Sequence, residues 1–259
     1  VYGTKEIMTF SVPVSLTQYL GLLTLYMDSL MLGYFKNSAD VGIYSAAAKF
    51  VLFIQLPLTS FNTIFGPMIS DFFSRNEMNK LEDLYKVVTK WIFTLSLPVF
   101  MLFVIFSGPI MEIFGEGFVL GATALIILGG GELINAATGP AGLIILMTGR
   151  PRINLWNAFI FGLLNIMLNL FLIPKYGLNG AAIATGLSIA VINLSKLVQV
   201  YFFLGIHPYK SDYVKPFIAG LLSSSVVYLI SCNMRLISPV MLVILSILFV
   251  GLYGLIIYL

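Results

Sequence analysis

Charge is the scarcest property of this 259-residue chain. Only 10% of its residues are Asp, Glu, Lys or Arg, 59% are hydrophobic, and mean hydropathy is +1.00. A soluble domain carries about 25% charged residues, because its surface must face water. The charges here are too few for that, so most of the outside must face lipid. Cys232 is the only cysteine, which rules out an intrachain disulfide, and His207 is the only histidine, which rules out a His-based metal cluster. The two also fall on opposite sides of the membrane in the reading below, so they form no Cys/His pair. The net charge of +3 is small and sits in short loops, a pattern of membrane orientation rather than of a nucleic-acid partner. No Walker A loop, Rossmann glycine fingerprint, HExxH or GxSxG occurs, so no cofactor and no soluble catalytic apparatus is expected. The opening VYGTKEIMTF lacks the charged, apolar and cleavable regions of a signal peptide. The chain ends inside an apolar run, GLYGLIIYL, and both ends read as continuous with a longer protein.

What is abundant is long apolar runs. A membrane span takes about 20 mostly apolar residues, and backbone in lipid satisfies its own hydrogen bonds by forming a helix. The runs give an all-α integral membrane protein of about eight transmembrane helices, at 9–34, 42–69, 90–113, 119–147, 153–173, 179–204, 216–233 and 237–259. Charged or Pro/Gly-containing breaks separate them: KNSADVG, the 70–89 stretch, GEG, GRPR, PKYGLNG, HPYKSDYVK and NMR. The loop HPYKSDYVK divides a six-helix unit, residues 1–205, from an added pair, residues 206–259.

Orientation follows from Lys and Arg. With residue 1 inside, the inner loops hold Lys5, Arg75, Lys80, Lys86, Lys90, Arg150, Arg152, Lys210 and Lys215, against Lys36, Lys175 and Arg235 outside. Nine against three puts both ends in the cytoplasm of a cell membrane. Every outer loop is about ten residues or shorter, too small for the acid-bearing loops of a membrane enzyme acting on lipid-linked sugars. The inner stretch 71–91 is itself periodic: Met78, Leu81, Leu84, Val88 and Trp91 share a helical face, and Glu82 with Lys86 forms an i,i+4 pair. It predicts an amphipathic helix over 77–90 lying flat in the inner headgroup layer, its apolar face in lipid. Pro13, Pro57, Pro98 and Pro140 lie inside spans, and prolines there tend to kink or break helices around a cavity.

Ionisable groups in lipid cost about 2.5–3.5 kcal/mol on insertion scales, so those present turn towards the bundle interior. Asp28 lies about two turns below the outer end of the first span and Lys49 at similar depth in the second, a spacing that permits an ion pair. Glu132 falls near the middle of the fourth span. Lys196, near the inner end of the sixth, reads as snorkelling to the interface. Thr17, Gly21, Thr24 and Asp28 follow i, i+4, i+7, i+11; Glu132, Asn135, Gly139 and Gly142 share a face, as do Asn154, Asn165 and Asn169. Small and amide residues on one face serve either helix packing or a cavity. Asp28, Lys49, Glu132, Asn165 and Asn169 are the candidate substrate or ion residues. Asp28 has the structural alternative of an ion pair with Lys49. Glu132 has that of a protonated group bonded to Asn135 or Asn165.

The segment LIPKYGLNGAAIATGLS (172–188), preceded by NAFIFGLLNIMLNL and MTGRPR, resembles the polysaccharide flippase family of the multidrug/oligosaccharidyl-lipid/polysaccharide exporter superfamily. Residues 28–50 look like the family's seventh helix, outer loop and eighth helix, and 65–100 like its inner linker and ninth helix. The resemblance covers nearly the whole chain and implies the C-terminal six-helix lobe plus two extra helices of a fourteen-helix, two-lobe transporter. It implies further a substrate cavity between the lobes, an absent N-terminal lobe as partner, and a polyprenyl-diphosphate-linked oligosaccharide as cargo. Glycosyltransferases or a polymerase would be neighbours in the same process. The rivals are a peptidoglycan-precursor flippase or multidrug antiporter of the same superfamily, and a non-transporting membrane scaffold.

Overall fold

A computed structural model describes residues 4–210, 213–232 and 239–258. The expected break at 233–235, with Arg235, lies outside the described residues, as do positions 211–212 of the HPYKSDYVK loop. Eight α-helices are described: α1 (Thr4–Phe35), α2 (Ser38–Ser74), α3 (Met78–Glu112), α4 (Ala122–Thr138), α5 (Ala141–Met147), α6 (Pro151–Leu204), α7 (Val214–Cys232) and α8 (Pro239–Tyr258). A 3₁₀ turn, Glu116–Gly121, leads into α4. Seven helical segments are long and apolar enough to cross a membrane. The protein is therefore a multi-pass, all-helical membrane protein.

One of those seven is two passes. A straight 54-residue helix would run about 80 Å, far beyond the ~30 Å hydrocarbon core. At Gly177 the backbone takes φ 55° and ψ −130°, which a side chain disfavours, and the helix folds back there. Contacts pair its limbs in antiparallel order: Gly180 lies against the Leu172 carbonyl, Asn165 bonds Thr185, and Asn157 bonds Gln199. Lys36 closes the turn by donating to the Pro174 carbonyl at 3.2 Å. These limbs correspond to the spans read at 153–173 and 179–204.

Prolines behave unequally. Pro140 does break its span, separating α4 from α5 behind Gly139, whose φ is +63°. Pro13, Pro57 and Pro98, expected to kink their spans, instead sit inside continuous helices; the one non-helical residue within α3 is Phe106, just before Pro109. The backbone carbonyl that Pro98 leaves without a partner belongs to Thr94, and Tyr253 of α8 donates to it at 2.8 Å. A tertiary contact thus replaces the lost helical bond.

The flat interfacial helix over 77–90 is corrected. Those residues form the first turns of α3, continuous with the following span. Most of their apolar stripe faces protein, Trp91 alone being exposed: Leu81 and Val88 are buried, and Leu81 packs with Tyr85 among Ile69 of α2 and Ala141, Ile144 and Ile145 of α5. Tyr85 also donates to the Thr138 carbonyl at 2.9 Å. The Glu82–Lys86 pair forms at 2.7 Å, and His207 of the 205–213 loop approaches Glu82 at 3.8 Å. Tyr209 and Tyr213 meet edge to face in that loop, and burial pushes both phenols up from their ordinary range, so they pack as neutral rings.

Candidate functional site

Polar side chains converge where α1, α2, α4 and both limbs of α6 meet, around two adjoining cavities of about 220 and 300 Å³. Gly21, Glu132, Phe161 and Ile189 line both, so the two form one groove through the lobe. The stripe Thr17, Gly21, Thr24, Asp28 of α1 lines it along its whole length.

Asp28 is the hub of the first cavity. Its side chain is buried, and four neutral groups donate to it: Tyr44 of α2 at 2.6 Å, Asn169 at 2.7 Å and Asn165 at 3.1 Å from the first limb of α6, and Thr185 from the second. Asn165 also donates to Thr185, and Asn169 to Asn165, so the donors brace one another. The expected ion pair with Lys49 is absent, and Lys49 is exposed on another face of α2. The physical reason is donor number. A carboxylate that already accepts four hydrogen bonds is solvated without a cation.

Glu132 anchors the junction of the cavities. Asn135 donates to its Oε2 at 2.8 Å, and Gln55 of α2 and Lys196 line the cavities on either side of it. Asn165, the other amide expected beside it, serves Asp28 instead. Lys196 is corrected as well: it turns into the second cavity, donating to Asn193 at 3.3 Å and lying over Gly142. A cavity wall with its own acceptor holds the ammonium better than a route past Leu197 and Val200 to the interface. Among the described residues no cluster of His, Cys, Asp and Glu fits a metal-ligand set.

Of the five residues proposed from sequence, Asp28, Glu132, Asn165 and Asn169 come together and Lys49 does not. Sequence reasoning missed Tyr44, Gln55, Thr185 and the Asn157–Gln199 pair. The signal was available. Tyr44, Ala48, Val51 and Gln55 repeat the i, i+4, i+7, i+11 spacing of the α1 stripe, as do Asn154, Ala158, Phe161, Asn165 and Thr185, Ile189, Ile192, Lys196 on the two limbs; all line the groove.

Polar groups held inside an apolar bundle are costly in lipid, and where they occur they tend to line a substrate or ion path. Residues 1–119 match the family model described as "Polysaccharide biosynthesis protein". The chain is 30% identical over 167 residues to the "Probable low-salt glycan biosynthesis flippase Agl15" of Haloferax volcanii, covering 64% of this chain and 35% of that one. It is 26% identical over 200 residues to the "Capsular polysaccharide biosynthesis protein CapF" of Staphylococcus aureus, covering 77% and 50%. Among solved structures, a "Lipid II flippase MurJ, inward closed conformation" shares the fold with a TM-score of 0.78 at 17% identity, covering 99% of this chain and 55% of that one. An outward-facing multidrug resistance transporter of the MATE family and MOP superfamily follows at 0.61 and 20% identity, covering 87% and 52%. The resemblance to the polysaccharide flippase family is borne out by the family model, which spans the segments 28–50 and 65–100, and by these relatives. The chain spans between about a third and a half of the length of these curated relatives.

Proposed function

We propose that this chain is the C-terminal lobe of a flippase that carries a polyprenyl-diphosphate-linked oligosaccharide from the inner to the outer leaflet of the cytoplasmic membrane. The observation that carries the reading is the polar groove: hydrogen-bonding groups from five helix segments line an interior that membrane insertion penalises unless it does work. The flippase and polysaccharide-biosynthesis names of the relatives supply the cargo class. In this reading residues 1–205 form the six-helix lobe, residues 206–259 are an added pair, and both ends are cytoplasmic. An N-terminal lobe completes the cavity from the other side, and glycosyltransferases or a polymerase act on the same glycan. Asp28, Glu132, Asn165 and Asn169 are the functional residues, and Asp28 or Glu132 carries a coupling proton or sodium ion. No enzymatic step is assigned.

The test is complementation. A cell lacking its polysaccharide flippase should regain surface glycan when given the full-length transporter, and lose it again with Glu132→Gln at unchanged protein level. Rescue of peptidoglycan-precursor export or of drug efflux, with no rescue of surface glycan, would assign the lobe to a sister transporter instead.

A further inference from the structure

The second cavity, of about 300 Å³, has a chemistry of its own. That volume sits at the low end of small-molecule sites, about 300–1,000 Å³. Its polar wall is four amides, Asn135, Asn154, Asn157 and Asn193, with Glu132 and Lys196, set among small and apolar residues. Several hydrogen-bonding positions there are already spent. Asn157 and Gln199 bond each other in both directions, at 2.8 and 2.9 Å, and Asn193 spends its amide hydrogen on Ile189 and its oxygen on Lys196. Others are left over. Asn154 donates to the Gly142 carbonyl at 2.9 Å and Asn135 to Glu132 at 2.8 Å, so among the described residues both keep a side-chain oxygen free to accept. Lys196 spends one of its three hydrogens on Asn193. The ring of Phe161 closes one side.

Charge narrows the ligand further. Glu132 and Lys196 both line this wall, one acidic and one basic group, so it carries no surplus of positive charge to attract an anion. A diphosphate entering would set its charges against the Glu132 carboxylate, a like-charge contact in a low-dielectric site. The basic side chains that suit phosphate stand elsewhere: Arg150 and Arg152 line a separate cleft of about 640 Å³ at the start of α6. Free acceptors, a free ammonium and an aromatic ring match an uncharged sugar ring, whose hydroxyls both donate and accept and whose C–H face packs on an aromatic.

We infer that this amide-walled cavity is a subsite for one uncharged glycosyl unit of the cargo, not for its diphosphate. The inference rests on the flippase reading for the presence of a glycan and adds which part of it this lobe grips. The test uses the full chain in lipid nanodiscs, with Cys232→Ser and a reporter cysteine at Ala158→Cys on the cavity wall. Glucose and N-acetylglucosamine should slow maleimide modification of the reporter several-fold, and inorganic pyrophosphate at the same concentration should not. Adding Asn154→Leu, or Lys196→Met as a second variant, should abolish the protection while the melting temperature stays at that of the parent. Protection by pyrophosphate without protection by sugars, or protection by none of the probes, overturns the inference. Sugar protection in a chain whose full-length transporter fails to restore surface glycan would count against the flippase reading alone.

Discussion

Four hydroxyl and amide donors around one carboxylate make an amide in its place costly. Asp28→Asn keeps one oxygen for Asn165 and Asn169 and turns its NH₂ group towards Tyr44 and Thr185, hydroxyls that must rotate to accept instead of donate. Their hydrogens then lose a buried, charged acceptor, at about 1–3 kcal/mol each. The variant should therefore unfold at clearly lower temperature in micelles, and a melting point equal to the parent's would refute the donor assignment. Tyr44→Phe removes one donor and keeps the ring. Its expected cost is on the order of 1 kcal/mol, between the ~0.6 average for polar pairs in membranes and the ~1.5–3 of hydrogen bonds to charge. Glu132→Gln is different, because Gln keeps an oxygen for Asn135. Its melting temperature should stay near the parent's, since shape and the Asn135 bond are kept, while glycan export by the full-length transporter falls; normal export at normal abundance would remove Glu132 from coupling. At this scale the sequence was readable by spacing. Asp28 and Glu132 were found because charge in an apolar run is conspicuous. Tyr44 and Thr185 escaped because their residue types are ordinary in a membrane helix and only their phase relative to Gln55 and Lys196 marks them. The supposed Lys49 pairing failed because depth along two helices says nothing about rotation around each.

Close approach of helices decides the next scale. Gly131 of α4 meets Gly186 of the second limb of α6 so tightly that a Cβ on Gly131 would lie 2.8 Å from the Gly186 backbone. Glycine to alanine inside a helix normally gains about 0.5–1 kcal/mol. Here the intruding atom meets backbone, which cannot swing aside, and overpacking costs about 1–3 kcal/mol. The clash wins, so Gly131→Ala should lower the melting temperature. Gly254→Ala in α8, with nothing within 4 Å of the added carbon, should leave it equal or higher. Equal effects of the two substitutions would show that propensity, not packing, governs these glycines. Elements were also where periodicity misled. The stripe from Met78 to Val88 correctly announces an apolar face, but period alone does not say whether lipid or protein covers it. The cover is largely α5, a seven-residue helix that the apolar run 119–147 concealed until Gly139 and Pro140 divided it.

For the molecule as a whole, the contacts sort the loops into two sets. Lys36 touches Pro174, which puts the α1–α2 and α6 turns on one side. Arg150 stacks over Phe203, and His207 approaches Glu82, which gathers the α2–α3 and α5–α6 turns and the residues after α6 opposite. Which side is cytoplasmic is the Lys/Arg prediction, and three exposed positions read it out. Cysteines replacing Asn79 and Arg152 should react with a reagent confined to the cytoplasm, and one replacing Ser38 with an impermeant reagent outside. Outside labelling of Arg152→Cys would invert the topology and with it the direction of transport.

The arrangement around Asp28 also distributes leverage. Helix α1 turns much of its surface outward, with Leu22, Leu23, Tyr26 and Leu30 all exposed, and its deepest polar attachment is that one side chain. Three partners grip it there: α2, and the outgoing and returning limbs of the hairpin. Cancel the negative charge and the charge-assisted bonds to all of those segments weaken together. The bundle is therefore at this spot less a packed core than a keystone joint, where one side chain ties three helical segments to α1.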